Sequence, residues 1–537
     1  MDSNIKTTLG DDGVLLATID MPGRSMNVFS LDMMDSLEQL LGYVESTGAV
    51  KSVVITSGKQ AFLAGADLDM IRMFTERART DSYEQLHALF GRLGRLFRRL
   101  EKSSKPYVAA INGLALGGGL EVSLACHERV LSNDRGVLVG LPEIKLGLLP
   151  GAGGTQRLPR LVGTALGMKM LLIGEPLTAA QALECGLAQE VVAPGDLIEA
   201  AKRRARALTQ PKAAWDRPGA TFDAAPFDFS AADAHTQIVR AVGIGDYQLE
   251  HYPAYKAILN CVVGGWNKPM DEAWHWEMDC FVDLLRDPVA GNMVRTLFLD
   301  RQRAAKLAPA TLKPAEVKVA VVGEGAPSLQ KMLESGKASI APADALGAGD
   351  IALLLPGATA GQGLKVAWLT DAAIDCAAVG ARAGVWLSDA TDQGRTLEVH
   401  TPTPDALAAD AGIVLGRWLR ANVFLSSGKK ALLPYLKAVR ALTRQRLLDE
   451  DDELLAVALA AAAVWGEGGI ADAALADVAV VVGGLYPSYT GGPFTYLRQA
   501  GEDLVRRRAA AAAVAHPDLF ALPLGLADLF AKSGSGN

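Results

Sequence analysis

The chain has 537 residues, half of them hydrophobic, with 53 basic and 60 acidic side chains and a net charge of −7. That length exceeds a single hydrophobic core and implies roughly two to four domains, while the near-balanced charge excludes nucleic acid as the partner. No apolar run is long enough to span a bilayer, and five cysteines without a CxxC pair, beside seven scattered histidines, argue against metal and disulfide chemistry.

The opening residues, MDSNIKTTLGDDG, lack a basic region followed by an apolar core and do not read as a secretory signal; with the cysteine usage this fits a reducing cytoplasm. VLLATID (14–20) and SVVIT (52–56) read as short strands, with LDMMDSLEQLLGYVES at helical spacing between them, a βαβ layout. KQAFLAGAD (59–67) is a loop entering a helix, where Asp67 reads as an N-cap rather than a catalytic group. From Asp81 to Lys105 the spacing predicts one long helix carrying Arg92, Arg95, Arg98, Arg99 and Lys102. Such a run suits phosphate, but a solvated helix face is the simpler account.

YVAAI (107–111) reads as a buried strand, and Gly117 to Gly119 let the backbone turn before LEVSLACHERVL opens as a helix. The bare N–H groups at its start form a site for negative charge. Glu121 falls in that first turn, where an acid also simply complements the helix dipole. In LPEIKLGLLPGAGG a second carboxylate, Glu143, lies between Pro142 and the glycines 151–154, in a loop of the kind that carries catalytic groups.

Three ordered stretches, AFLAGADLDMI, INGLALGGGLEVSLAC and LPEIKLGLLPGAGGTQRLPRLVG, resemble the crotonase (enoyl-CoA hydratase/isomerase) superfamily. The separation of the two glutamates is similar to that in the hydratase part of multifunctional fatty-acid β-oxidation α-subunits. The resemblance implies an α/β chain: a crotonase-like ββα spiral domain, then a helical linker, a Rossmann-like domain and an all-helical C-terminal domain. It implies an acyl-CoA thioester substrate, with Ala66 and Gly118 supplying the backbone N–H groups of an oxyanion hole. It makes Glu121 and Glu143 the catalytic pair, with Ala64, Gly65, Gly117 and Gly151 against the substrate. Hydration of a 2-enoyl-CoA builds charge on the thioester oxygen, and losing one fixed donor there typically costs about 2.7–4 kcal/mol. The acids then move protons, Glu121 mainly activating water and Glu143 delivering the proton to Cα, unless the pair shares one proton.

After Gly163 the sequence predicts two helices, the second stopped by Gly186, then a strand, closing this domain at residue 194. Residues 195–315 read as a mostly helical linker that includes DEAWHWEMDCFVDLL, where Trp274, His275 and Trp276 at helical spacing read as packing. The Pro/Ala-rich LAPATLKPAE marks a boundary. The Rossmann-like segment (316–402) opens with VKVAVVGEGAPSLQKML, strand, glycine turn and helix, the layout of a dinucleotide site. Its fingerprint is incomplete: Gly323 and Gly325 are followed by Pro327 and Ser328, and KASIAPA supplies no acid for a ribose. In GVWLSDATDQGRTLEV, Trp386 stands where the resemblance places the dehydrogenase histidine, with Glu398 as its partner acid and His400 as the nearest other base. These departures imply a dehydrogenase-like half that has lost NAD binding and catalysis. No cofactor is expected in either half.

In the helical region (403–537), ELLAVALAAAAVW is too short for a membrane span and reads as a buried helix. YPSYTGGPFTYLRQAG resembles the dehydrogenase's C-terminal domain, KSGSGN reads as a flexible tail, and there is no internal repeat. The resemblance makes docking of a thiolase or a separate dehydrogenase the role for the second half, and it allows a homo-oligomer. The rival readings are a Δ3-Δ2-enoyl-CoA isomerase, a bifunctional hydratase/dehydrogenase, and a non-catalytic acyl-CoA-binding subunit.

Overall fold

Short β-branched runs that are buried on both faces, SVVITS and YVAAI among them, become inner strands of a parallel sheet, which suits continuous apolar segments. In the computed structural model, which describes residues 4–209, 211–306, 311–369, 376 and 379–531, one compact unit ends at Val294 and a second starts at Arg295.

The first unit begins with β1 (Ile5–Leu9), β2 (Val14–Ile19), α1 (Leu31–Ser46), β3 (Ser52–Ser57) and β4 (Leu63–Ala64). Next come α2 (Leu68–Arg77), α3 (Tyr83–Phe90), α4 (Arg92–Glu101), β5 (Tyr107–Ile111), β6 (Ala115–Leu116), α5 (Gly118–Ala125), β7 (Glu128–Ser132) and β8 (Leu138–Gly140). Then follow α6 (Gly154–Val162), α7 (Thr164–Ile173), β9 (Leu177–Thr178), α8 (Ala179–Glu184), β10 (Glu190–Val192) and α9 (Leu197–Ala207). The unit finishes with α10 (Ala234–Val242), α11 (Asp246–His251), α12 (Pro253–Gly265), α13 (Met270–Arg286) and α14 (Pro288–Met293).

Among the described residues the strands of this unit form a six-stranded sheet, β1-β2-β3-β5-β7-β10, and a four-stranded sheet, β4-β6-β8-β9. The larger is parallel apart from the β1–β2 pair, and the smaller apart from β8–β9. The chain alternates between the two sheets, which makes the crotonase-like α/β spiral.

Several expectations are corrected here. The helix expected over 81–105 is two, because a break falls at Gly91 between α3 and α4 and α4 stops at Glu101. LEVSLACHERVL is helical only as far as Ala125, and its apolar end joins the large sheet as β7. The core does not close at Pro194: Leu197, Ala200, Ala201 and Ala205 of α9 cover Val14, Val54, Val108 and Val130 of the large sheet. Further on, α12 and α13 pack against α6. Asp67 is the N-cap of α2, its side chain accepting from the N–H groups of Asp69 and Met70. Trp274 is buried and lies over Gly94, whereas Trp276 is partly exposed.

The second unit contains α15 (Arg301–Lys306), β11 (Lys318–Val322), α16 (Ala326–Ser335), β12 (Ser339–Ile340), β13 (Ile351–Leu354), β14 (Leu364–Trp368), β15 (Ala383–Leu387) and β16 (Thr396–Thr401). It continues with α17 (Ala406–Leu419), β17 (Asn422–Ser427), α18 (Leu432–Gln445), α19 (Glu450–Gly466), α20 (Ala473–Val482), α21 (Pro493–Ala500), α22 (Glu502–Ala512) and α23 (Leu526–Ala531). Its sheet runs β12-β11-β13-β14-β15-β16-β17 and is parallel except for β15–β16. The sheet therefore passes the expected boundary at 402: α17 lays Ala408, Ala411, Val414 and Leu415 on it and returns the chain as edge strand β17. The apolar ELLAVALAAAAVW lies within α19 and is buried. Part of LAPATLKPAE (307–310) and all of KSGSGN lie outside the described residues. Among the described residues no helix is long and apolar enough to cross a membrane.

One close approach positions the site. A Cβ on Gly119 would stand 2.2 Å from the carbonyl oxygen of Leu63, so only glycine lets the start of α5 rest on β4. Gly119→Ala is expected to force these elements apart at a cost of about 1–3 kcal/mol, read as a lower urea midpoint at unchanged slope.

Candidate active site

Three strands of the small sheet end in one row. Ala64, Leu116 and Gly140 are register partners across β4, β6 and β8, so the segments that follow them leave the sheet side by side. Ligands of parallel sheets gather at such carboxyl ends. This brings Gly65–Ala66, Gly117–Gly118 and the turn at Glu143 together.

The backbone around Ala66 is pinned by alternate bonds: Ala64 N–H donates to the Asn27 oxygen at 2.9 Å, Phe29 N–H to Gly65 at 2.8 Å and Asp67 N–H to Phe29 at 2.7 Å. The alternation leaves the Ala66 N–H without an acceptor among the described residues. Gly118 opens α5, where an N–H has no partner within the helix, while the N–H of Gly117 is engaged by the Gly140 oxygen at 3.0 Å. Two N–H donors are thus left open at adjacent strand ends.

Glu121, one helical turn into α5, is buried. Its Oε1 accepts from Ala152 N–H at 2.8 Å and Gly154 N–H at 2.9 Å. Burial pushes its carboxyl up, opposed by those two bonds and by the Arg157 guanidinium. Glu143 opens a 3-10 turn, Glu143–Leu146. Its Oε1 faces Gly117, 2.8 Å from where a Cβ would be, and its Oε2 is shut from solvent with no hydrogen-bond partner among the described residues. Burial, and then the charge of Glu121, hold Glu143 well above the usual carboxylate range. Both carboxyls are raised, Glu143 further than Glu121, whose two N–H bonds and nearby Arg157 favour its anion; a paired acid–base site needs such an asymmetry.

Gly151 lies against the Phe281 ring of α13, 3.3 Å from where a Cβ would be. The structure thus gathers Ala64, Gly65, Ala66, Gly117, Gly118, Glu121, Glu143 and Gly151 around one end of the small sheet. The basic run on α4 faces solvent at Arg95 and Lys102 and in part at Arg92 and Arg99, and departs from a solvated face at Arg98. Arg98 is buried and bonds Glu101 at 2.5 Å and Asp271 at 2.7 Å, Arg92 bonds Glu38 at 2.8 Å, and Arg99 bonds Glu45 at 2.6 Å.

Sequence reasoning missed Glu277. It lies on α13, fully buried, its Oε1 accepting from Gly153 N–H at 2.6 Å and its Oε2 from Thr155 N–H at 3.0 Å. The signal was present: Glu277 shares the helical stripe of Trp274, Met278, Phe281 and Leu285, and an acid on an apolar face requires a partner.

In the second unit Trp386 and Glu398 are register partners across β15 and β16. Glu398 is buried, bonded to the Ser426 hydroxyl and accepting from Leu432 and Leu433 N–H, each at 2.7 Å, so it anchors the start of α18. His400 Nδ1 lies 2.9 Å from Ser426 Oγ.

The first unit is therefore an α/β domain of crotonase type in which two buried acids flank a pair of open N–H donors. Residues 10–225 match the family model Enoyl-CoA hydratase/isomerase. The chain is similar to the fatty acid oxidation complex subunit alpha of Idiomarina loihiensis, 37% identical over 327 residues, covering 59% of this chain and 44% of that protein. It is also similar to the subunit of the same name from Shewanella frigidimarina, 34% identical over 336 residues, covering 60% and 45%. The chain thus spans under half the length of these curated relatives. Among solved structures, enoyl-CoA hydratase from Bacillus anthracis is 30% identical, covering 47% of this chain and 96% of that one, with a TM-score of 0.35.

Proposed function

We propose that this chain adds water to trans-2-enoyl-CoA thioesters to give 3-hydroxyacyl-CoA in fatty-acid oxidation. The observation that carries the reading is the convergence of two buried carboxylates, Glu121 and Glu143, on the open N–H groups of Ala66 and Gly118. The N–H pair takes the thioester oxygen and stabilises the charge that develops there. Glu121 accepts a proton from water as its oxygen bonds Cβ, and protonated Glu143 gives its proton to Cα; the product carries both parts of the water molecule once the two acids re-equilibrate. An isomerase needs only one of these acids, which favours hydration with isomerisation as a side activity. A binding-only protein needs neither.

The second half reads as a Rossmann-like region followed by a helical one that hold no NAD. Gly323 is packed at its own turn, where a Cβ would meet the Leu355 side chain at 2.8 Å, β12 ends at Ile340 without an acid, and Trp386 offers no proton-transfer group. The curated relatives are named as subunits of a complex, which supports an assembly role for this chain; we assign that role to its second half, docking a thiolase or a dehydrogenase in the cytoplasm.

The test follows loss of the conjugated enoyl-thioester absorbance with a short and a long trans-2-enoyl-CoA, with NAD present and NADH recorded in parallel. Hydration without NADH is expected. Absence of hydration with both substrates rejects the enzyme reading, and NADH formation rejects the silent second half.

A further inference from the structure

From the geometry around Gly151–Thr155 we infer that Glu277 is a positioning residue of the hydration site, holding from α13 the loop whose N–H groups orient Glu121. The inference rests on the hydration reading above. Four successive N–H groups are divided between two carboxylates: Ala152 and Gly154 donate to Glu121, and Gly153 and Thr155 donate to Glu277. Gly153 has φ +99, a left-handed conformation that glycine adopts at little cost; such a turn forms a concave nest of N–H groups. The Thr155 hydroxyl is also hydrogen-bonded to Glu277 Oε2. Glu121 therefore takes its direction from donors whose other side is set by Glu277, a residue that lies beyond the 10–225 family segment.

The electrostatics agree with the placement. Facing Glu277 are Glu121 of α5, Glu143 of the 3-10 turn, Arg157 and Arg160 of α6 and Cys261 of α12. Burial, then the charge of Glu121, push its carboxyl up to about 8. Above that pH the ionised Glu277 repels the Glu121 carboxylate across the loop they share and disturbs its direction, so activity falls.

The experiment compares full-length wild type, Glu277→Gln, Glu277→Asp and Thr155→Val over pH 6–10 with a trans-2-enoyl-CoA, and follows amide proton shifts of 15N-labelled protein. In Glu277→Gln, kcat is expected to fall about 10- to 100-fold, the scale of a small misplacement in an active site, with KM little changed. The fall of kcat/KM through about pH 8 disappears in Glu277→Gln and persists in Glu277→Asp. Thr155→Val gives a smaller loss of kcat. The Ala152 and Gly154 amide shifts move in Glu277→Gln, and the Gly153 and Thr155 shifts titrate in wild type and Glu277→Asp but not in Glu277→Gln. Equal losses in the Gln and Asp variants, with an unmoved pH limb and unmoved Ala152 and Gly154 amides, would overturn the inference and leave a packing contact. Wild-type-like activity and pH dependence in Glu277→Gln would overturn it as well. An inactive wild type in which those amides respond as described sinks the hydration reading and keeps Glu277 as the residue that orients Glu121.

Discussion

Glu143→Gln is expected to lower kcat for enoyl-CoA hydration by about 10²–10⁴-fold, the range for removing a positioned acid–base group, while folding is undisturbed. The amide keeps the shape of the carboxyl but has no proton to give to Cα. Because its other partners, the Ala66 and Gly118 N–H groups and Glu121, remain in place, substrate binding is retained and KM changes little. Stability moves the other way. The folded-state pKa of Glu143 is raised above its ordinary value by burial and by Glu121, so between the unfolded and folded values the native state binds more protons than the unfolded one. The stability it contributes is full below the unfolded pKa and is lost as pH rises through the folded one. At pH 8 the Gln variant, free of that penalty, should melt at or above the wild-type temperature. A thermal melt and a steady-state assay on one preparation decide the matter: a kcat within tenfold of wild type removes Glu143 from the chemistry, and a lower melting temperature contradicts the assigned direction of its shift.

Glu101→Gln should have the largest effect on stability, about 3–5 kcal/mol, the cost of leaving a buried charge without its counterion. Glu101 is buried between two arginines, receiving Arg157 Nε at 2.8 Å and Nη2 at 3.2 Å and Arg98 Nη1 at 2.5 Å. Arg98 keeps Asp216 and Asp271 when Glu101 is neutralised. Arg157 is wholly buried and forms no other ion pair among the described residues. Its Nη1 also donates to the Ala152 oxygen at 2.8 Å, which links the ion pair to the loop that holds Glu121. Urea unfolding should show a lower midpoint, and activity measured well below that midpoint should fall too. A loss under 1 kcal/mol would mean that Arg157 finds another anion or water in the variant.

The strands and the N-cap at Asp67 were legible because each rests on local chemistry, and Glu121 and Glu143 became candidates through the motifs that carry the crotonase resemblance. β-branched runs favour strands, a short acid at a helix start caps it, and glycine clusters beside acids mark turns in an apolar setting. Gly91 within an amphipathic stretch was a local signal too, and its penalty in a helix is modest. What no local signal announces is the contact made beside that break: Trp274 of α13 lies over Gly94, so that a Cβ there would fall 2.1 Å from its Nε1. The extent of the first unit was hidden for the same reason, since nothing local says that Leu197 and Ala201 of α9 cover Val54 and Val108.

By itself, then, the sequence determined the elements, the turns and the residue types able to handle a proton on a crotonase-like scaffold. Only the tertiary structure decided which of them meet: the common register of β4, β6 and β8 that lines up Ala66, Gly118 and Glu143, and the return of α13 that sets Glu277 behind the glycine loop. The physical reason is that propensities and caps act over a few residues, whereas burial couples a carboxylate to whatever charge and N–H groups the packing brings within a few ångströms, however distant in the chain.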